Sequence, residues 1–254
     1  MPRSVPVVGH ELIAHEKFCD AAAEEIELFG AALRGVAPET RCVTCTDWNV
    51  RELAEHLGGV HRWAATMVRD VAQERATNVD LGLPTDDYAR WIAEGGALLT
   101  GALRAVDPDA PMWSWGADKR ARFWSRRQLH ETAIHRADLE LSLGRAPRYE
   151  DWVAADGVDE FLENLPHARR FAPNVDALRG DGERIGVRAG DAAWTIQLLP
   201  DRFEWARSSG PADVTVSGSP GDAYLFVWGR RAADDMDVTG DEDLLRRWVK
   251  NSSI

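Results

Sequence analysis

The 254 residues, 44% of them apolar and 28% charged, compose an ordinary globular chain longer than a usual single domain, so two modest domains are expected. Acidic side chains outnumber basic ones 42 to 30, and the formal charge of −12 repels a phosphate backbone and excludes nucleic acid as an expected partner. No apolar run approaches the roughly 20 residues of a spanning helix, and the N-terminal stretch is too briefly apolar for a signal peptide, so no membrane association and a cytoplasmic location are expected.

The first helix is expected from about Glu11 to Val36, stopped by Pro38. The second is the clearest: Asn49 suits an N-cap, Glu52 stands three residues on, and Val50, Leu53, Leu57, Val60, Ala64, Met67 and Val71 form one apolar stripe. A third helix is expected to begin near Pro84-Thr85 and to run to Val106, weakened at Gly95-Gly96 by about 1 kcal/mol per glycine. The fourth spans about Arg120 to Leu143 and is closed by Gly144. Four such helices suggest an antiparallel bundle over residues 8–146.

Beyond Pro147 the pattern changes. A helix around Tyr149 to Leu165 leads into three short strands, Arg184 to Ala189, Ala193 to Leu199 and Arg202 to Ala206, separated by Gly-Asp and Pro-Asp turn signals. A fourth strand (Asp213 to Val216), a helix from Pro220 to about Arg230 and a last helix from Asp241 to about Lys250 complete residues 147–254. The fold class is therefore a helical bundle followed by a small α+β domain with an antiparallel sheet.

Cys19, Cys42 and Cys45 are the only cysteines, too few for a disulfide scaffold. Cys42 and Cys45 have the C-x-x-C spacing ahead of a helix, as redox pairs often do, but no second C-x-x-C completes a zinc site, and the pair reads as a reduced loop pair. None of the three lies in a segment that supplies the ligands considered next, so they are not expected to serve that site.

On the fourth helix Glu131 and His135 are one turn apart, about 40° around the axis, and can close on one ion; a solvated ion pair explains the same spacing. His130 points about 100° away from Glu131 and reads as a packed or hydrogen-bonded histidine. On the second helix His56 and His61 compete for a third ligand, at about 60° and 80° on opposite flanks of the stripe, which makes His56 the better-buried candidate by a small margin. Two imidazoles and a carboxylate suit zinc and leave coordination positions open, and Asp138, one turn beyond His135, can orient a ligand histidine. Trp124 shares the face of Glu131 and His135 but reads as a core aromatic.

Two segments, Trp48-Asn-Val-Arg-Glu-Leu-Ala-Glu-His56-Leu-Gly-Gly-Val-His-Arg-Trp63 and Phe123-Trp-Ser-Arg-Arg-Gln-Leu-His-Glu131-Thr-Ala-Ile-His135-Arg-Ala-Asp138, resemble the mycothiol-dependent maleylpyruvate isomerase family of actinobacteria. So do Asp222-Ala-Tyr-Leu-Phe-Val-Trp-Gly-Arg230-Arg231 and Val238-Thr-Gly-Asp-Glu-Asp-Leu-Leu-Arg-Arg-Trp248, in what is similar to that family's sterol-carrier-like second domain. The resemblance implies a DinB-like bundle with a divalent metal, zinc by preference, on His56, Glu131 and His135, and a thiol supplied by mycothiol. It implies an enzyme in which a metal-bound thiolate attacks an electrophilic small molecule, as a cis–trans isomerase or a thiol S-transferase, with Arg230 binding substrate carboxylates. The competing expectation is a non-catalytic small-ligand or protein-binding module with a structural metal. A monomer or homodimer is expected.

Overall fold

The start of the second helix follows directly from its sequence. In the computed structural model, which describes residues 14–45, 47–84 and 86–254, the Asn49 side chain accepts a hydrogen bond from the backbone N–H of Glu52 (3.0 Å). The Glu52 carboxylate accepts one from the N–H of Asn49 in return (2.8 Å). Two N–H groups that a helix start leaves open are thus satisfied, and α2 (Val50–Arg69) begins there.

With α1 (His15–Leu33), α3 (Tyr88–Ala105) and α4 (Arg122–Ser142), α2 forms the expected group of four helices. α1 and α2 each pack along both α3 and α4. The expected start of α1 at Glu11 lies outside the described residues. Its end comes at Leu33 rather than Val36, because Gly35 turns the chain at φ +75° ahead of Pro38. α3 starts at Tyr88 and not near Pro84, because the Asp87 carboxylate caps it by accepting from the N–H of Arg90 (3.0 Å); Thr85 lies outside the described residues. Gly95 and Gly96, costly to α3 in isolation, sit where a Cβ would run into the Arg62 guanidinium and the Ile26 side chain. Close helix packing there outweighs the propensity cost.

α4 is buried on nearly every side although it carries Arg127, His130, His135, Arg136 and Asp138. Trp124 and Leu139 belong to the core shared with the bundle, whereas Ala133 and Ile134 belong to the core of the C-terminal domain. α4 is therefore the wall between the two cores, and its polar groups have to find partners inside the protein.

The C-terminal domain opens with α5 (Asp151–Asn164) and continues through β1 (Arg184–Ala189), β2 (Ala192–Leu198), β3 (Phe203–Arg207), β4 (Val214–Gly218), α6 (Pro220–Val227), β5 (Asp237–Gly240) and α7 (Glu242–Ser252). The five strands form one sheet in the order β3-β2-β1-β4-β5, whose buried face, including Ile185, Val187, Trp194, Ile196, Val214 and Val216, packs with Phe161, Tyr224 and Trp248. The sheet is mixed, which corrects the antiparallel expectation: β4 runs parallel to β1, while the other three pairings are antiparallel. After β3 the chain does not turn back on itself but crosses to the far side of β1. Hydrogen bonds from Arg188 to the carbonyl of Gly210 (2.9 Å) and from the Thr195 hydroxyl to that of Ser208 (3.0 Å) tie the crossing segment to the sheet. A second correction concerns α6, which ends at Val227 because Gly229 adopts φ +72°, so Arg230 sits in the loop beyond the helix rather than at its end. No helix among the described residues is long and apolar enough to cross a membrane.

Candidate metal centre

One turn of α4 brings Glu131 and His135 to a common face, and α2 presents His56 across from them. Glu131 Oε1 lies 3.2 Å from His56 Nε2 and 3.4 Å from His135 Nε2, and one ligand atom from each of the three residues falls within 4.8 Å of the others. The two imidazole rings stand edge to face, with centroids 4.9 Å apart. Trp48, in the loop that leads into α2, covers His56 at a centroid distance of 4.9 Å.

The two α4 side chains are anchored by buried charges. Arg127 donates to Glu131 Oε2 (3.1 Å) and, through Nη1, to both carboxylate oxygens of Glu160 on α5 (2.8 and 2.7 Å). Asp138 Oδ2 accepts from His135 Nδ1 (2.8 Å), as the one-turn spacing predicts, which turns His135 Nε2 toward Glu131. Arg230 reaches in from the C-terminal domain and donates to Asp138 through Nε (3.0 Å) and Nη2 (3.2 Å), while its Nη1 donates to the carbonyl of Trp228 (2.7 Å). The Thr44 hydroxyl donates to Asp138 Oδ1 as well.

The electrostatics follow from this packing. Burial pushes the Glu131 carboxyl up, but hydrogen bonds from His135 and His56 and the Arg127 charge outweigh it and hold the group well below the usual carboxylate range. Burial likewise pushes His135 down, yet its hydrogen bonds to Asp138 and Glu131 prevail and raise it to about 9. Asp138 is lowered despite its burial, by His135 and Arg230. In the absence of an ion, then, a proton on His135 supplies the positive charge that the two carboxylates favour. A divalent cation between His56 Nε2, Glu131 Oε1 and His135 Nε2 would take that role, and the donor set, with its carboxylate-held histidine, fits one.

Cys45, His135 and Asp138 form a second group with mutually close ligand atoms. The four acceptor positions of Asp138 are occupied by Thr44, His135 and the two Arg230 donors, so this second group fits an ion poorly. It does place Cys45 beside the site, where the sequence expected no cysteine to serve. The loop before α2 folds back onto α4, with the Val43 N–H donating to the Ser142 hydroxyl (3.0 Å), and delivers Cys45 to His135. Hydrogen bonds from the Cys45 thiol and backbone to its sulfur lower the Cys42 thiol to about 6.

The burial expected of the two α2 histidines is reversed. His61 is fully buried, and burial lowers it to about 3, whereas the His56 side chain is 35% exposed. His61 Nε2 meets the Thr132 hydroxyl (2.9 Å) and not the cluster. The side chains of α4 replace solvent on the His61 flank, which no count of apolar positions along α2 reveals. His130 is buried between the Tyr224 hydroxyl (3.0 Å) and Asp156 (2.8 Å), and Trp124 packs against Trp63, Trp113 and Phe123; both match their expected non-ligand roles. Arg127 escaped the sequence reading although its spacing from Glu131 is the i,i+4 of a helical ion pair; Glu160 left no such signal.

Comparison with known proteins adds to this geometry. Residues 19–140 match the mycothiol maleylpyruvate isomerase N-terminal domain family, and residues 153–247 match the C-terminal domain family of the same protein. The crystal structure of a mycothiol-dependent maleylpyruvate isomerase superimposes with a TM-score of 0.54 at 14% identity, covering 89% of this chain and 93% of that one. A variant of that enzyme with one histidine replaced by alanine gives 0.55 at 14% identity over the same shares. At such identity the two structures show a shared fold. No curated protein matches the sequence.

Proposed function

The chain belongs to the mycothiol maleylpyruvate isomerase family, both of whose domains it carries, and we propose that it is a metal-dependent enzyme that uses mycothiol to attack an electrophilic small molecule. The observation that carries this reading is the convergence of His56, Glu131 and His135, with ligand atoms within 4.8 Å of one another, on a histidine already oriented by Asp138. We assign the metal, zinc by preference, to these three residues. The ion, when bound, would favour the thiolate over the thiol, the nucleophilic form for addition to an electron-poor carbon, whether the sulfur then leaves, as in cis–trans isomerisation, or stays, as in S-transfer.

The remaining side chains prepare that chemistry. Arg127 holds one oxygen of Glu131 and leaves the other facing the two imidazoles. Asp138 fixes His135 with its proton on Nδ1, so that Nε2 keeps a lone pair for the ion once the second proton is displaced. Arg230 balances the charge of Asp138, and of its five N–H groups three are engaged by Asp138 and the Trp228 carbonyl. The other two are the donors we assign to a substrate carboxylate. Trp48 shields the His56 side of the cluster.

The test is to load the purified protein with zinc and incubate it with mycothiol and either maleylpyruvate or a panel of electrophiles, following products by mass spectrometry. Thiol-dependent isomerisation or conjugate formation is expected. Stoichiometric metal with no thiol-dependent product from any of them would favour the non-catalytic binding module instead.

A further inference from the structure

Thr44 lies between the two cysteines of the C-x-x-C spacing, in the loop that leads into α2, and its hydroxyl crosses to Asp138 on α4. The loop is fastened without that contact. The Val43 N–H donates to the Ser142 hydroxyl (3.0 Å), which itself donates to the Asp138 carbonyl (2.6 Å), and the loop closes on itself through the N–H of Cys42 on the Trp48 carbonyl (2.9 Å) and the N–H of Trp48 on that of Cys45 (2.8 Å). The Thr44 hydroxyl is therefore free for another task. The same loop carries Trp48, whose ring lies 4.9 Å from that of His56 and 6.3 Å from that of His135, so it meets the cluster on both sides.

The task is visible at Asp138, which is fully buried and whose carboxylate has two acceptor positions on each oxygen. Thr44 and Arg230 Nε take Oδ1, while His135 Nδ1 and Arg230 Nη2 take Oδ2. The group cannot turn about its Cβ–Cγ bond without losing a donor in a place where no water replaces it. His135 is also a candidate ligand and Arg230 is also assigned to a substrate carboxylate, whereas a hydroxyl has one proton and Thr44 gives it to Asp138 alone. Without that hydroxyl, Asp138 would keep its charge partner but could swing toward Arg230 and away from His135 Nδ1.

We propose that Thr44 is a positioning residue for the metal centre: its hydroxyl fixes the rotation of the Asp138 carboxylate and, through it, the aim of His135 Nε2 at the ion. The aim at an ion rests on the metal assignment made above; the orientation of His135 by way of Thr44 and Asp138 does not.

The test compares the full-length wild type with Thr44→Val, which keeps the shape and drops the hydroxyl, and Thr44→Ser, which keeps the hydroxyl. In the metal-free proteins the His135 Nδ1–H proton, assigned by its disappearance in His135→Gln, is followed by proton–nitrogen NMR. It should be protected in the wild type and in Thr44→Ser and lost to solvent exchange in Thr44→Val. Zinc affinity, measured in competition with a chelator, should fall roughly 3–10-fold in Thr44→Val, less than the 10–100-fold typical when the partner of a ligand is removed outright, and should return in Thr44→Ser. A Thr44→Val protein that keeps the protected proton, or a loss that Thr44→Ser does not restore, overturns the proposal. The expected NMR pattern in a protein that takes up no zinc would uphold the orientation of His135 and remove the metal assignment; zinc uptake with a proton signal indifferent to Thr44→Val would do the reverse.

Discussion

The two sides of the candidate metal centre are held in different ways. On the α2 side, His56 rests under Trp48, its side chain 35% exposed, with Glu131 as its hydrogen-bond partner. On the α4 side, Glu131 and His135 are tied through Arg127 to Glu160 and through Asp138 to Arg230, and the latter two acids and their arginines are almost wholly buried. Charges placed in a low-dielectric interior are costly unless paired, so the α4 side is rigid by necessity, and its rigidity comes from the C-terminal domain. The α2 side has no comparable buried charge network among the described residues. The bundle thus supplies the three candidate ligands, and the second domain contributes partners to the network around two of them.

This asymmetry can be broken most directly by removing ligands. Both His56→Ala and His135→Ala should abolish stoichiometric metal in elemental analysis, but only His135→Ala should also disturb folding, because it leaves the buried Asp138 short of a partner. His61→Ala, at a fully buried position outside the cluster, should keep its metal and lose stability. If His61→Ala loses the metal and His56→Ala keeps it, the assignment on α2 is wrong.

The α4 side is tested next through its anchor. Arg127→Met removes the partner of the buried Glu160 and should destabilise the protein by about 3–5 kcal/mol in urea unfolding. The double variant Arg127→Met/Glu160→Gln should recover part of that loss, since the isolated charge, rather than the lost contact, dominates the cost. No recovery would mean that Arg127 acts through packing against Trp228, over whose ring its guanidinium lies at 4.8 Å.

A smaller change is expected from Asp138→Asn, which should weaken metal binding about 10–100-fold in competition with a chelator while the ligand set stays complete. Unchanged affinity would show that His135 is oriented without its carboxylate.

The mildest effect concerns pH. His135, raised from 6.5 to about 9 in the metal-free protein, contributes stability that is complete below about pH 6.5 and is lost as pH rises through 9. Cys42, lowered from 9.0 to about 6, works the other way: its contribution is complete above pH 9 and is lost as pH falls through 6. Urea unfolding in a Cys42→Ser background isolates the histidine. There the metal-free protein should lose stability between pH 6.5 and 9, by at most about 1.4 kcal/mol per pH unit, and the zinc-loaded protein should not, because the ion requires neutral His135. A metal-free profile that rises with pH would mean that His135 is neutral before the ion binds.

Local rules carried the sequence reading a long way. The capping box at Asn49 and Glu52, the apolar stripe of α2 and the closure of α4 at Gly144 depend on residues within a few turns of one another, so propensity and spacing express them fully. Glu131 and His135 were visible as a pair for the same reason, and Asp138 as their companion, because all three lie on one helix. What the tertiary structure alone decided lies between elements. The burial of His61 over His56, the crossing that makes β4 parallel to β1, the reach of Glu160 into the site, the pairing of Arg230 with Asp138 and the return of Cys45 to His135 all join segments far apart in the chain. No residue announces its distant neighbour by type. α4 shows why: its buried arginines, histidines and acids look like a solvent-facing pattern along the sequence, and only the packing of a second domain against it turns them into a paired, water-excluded network.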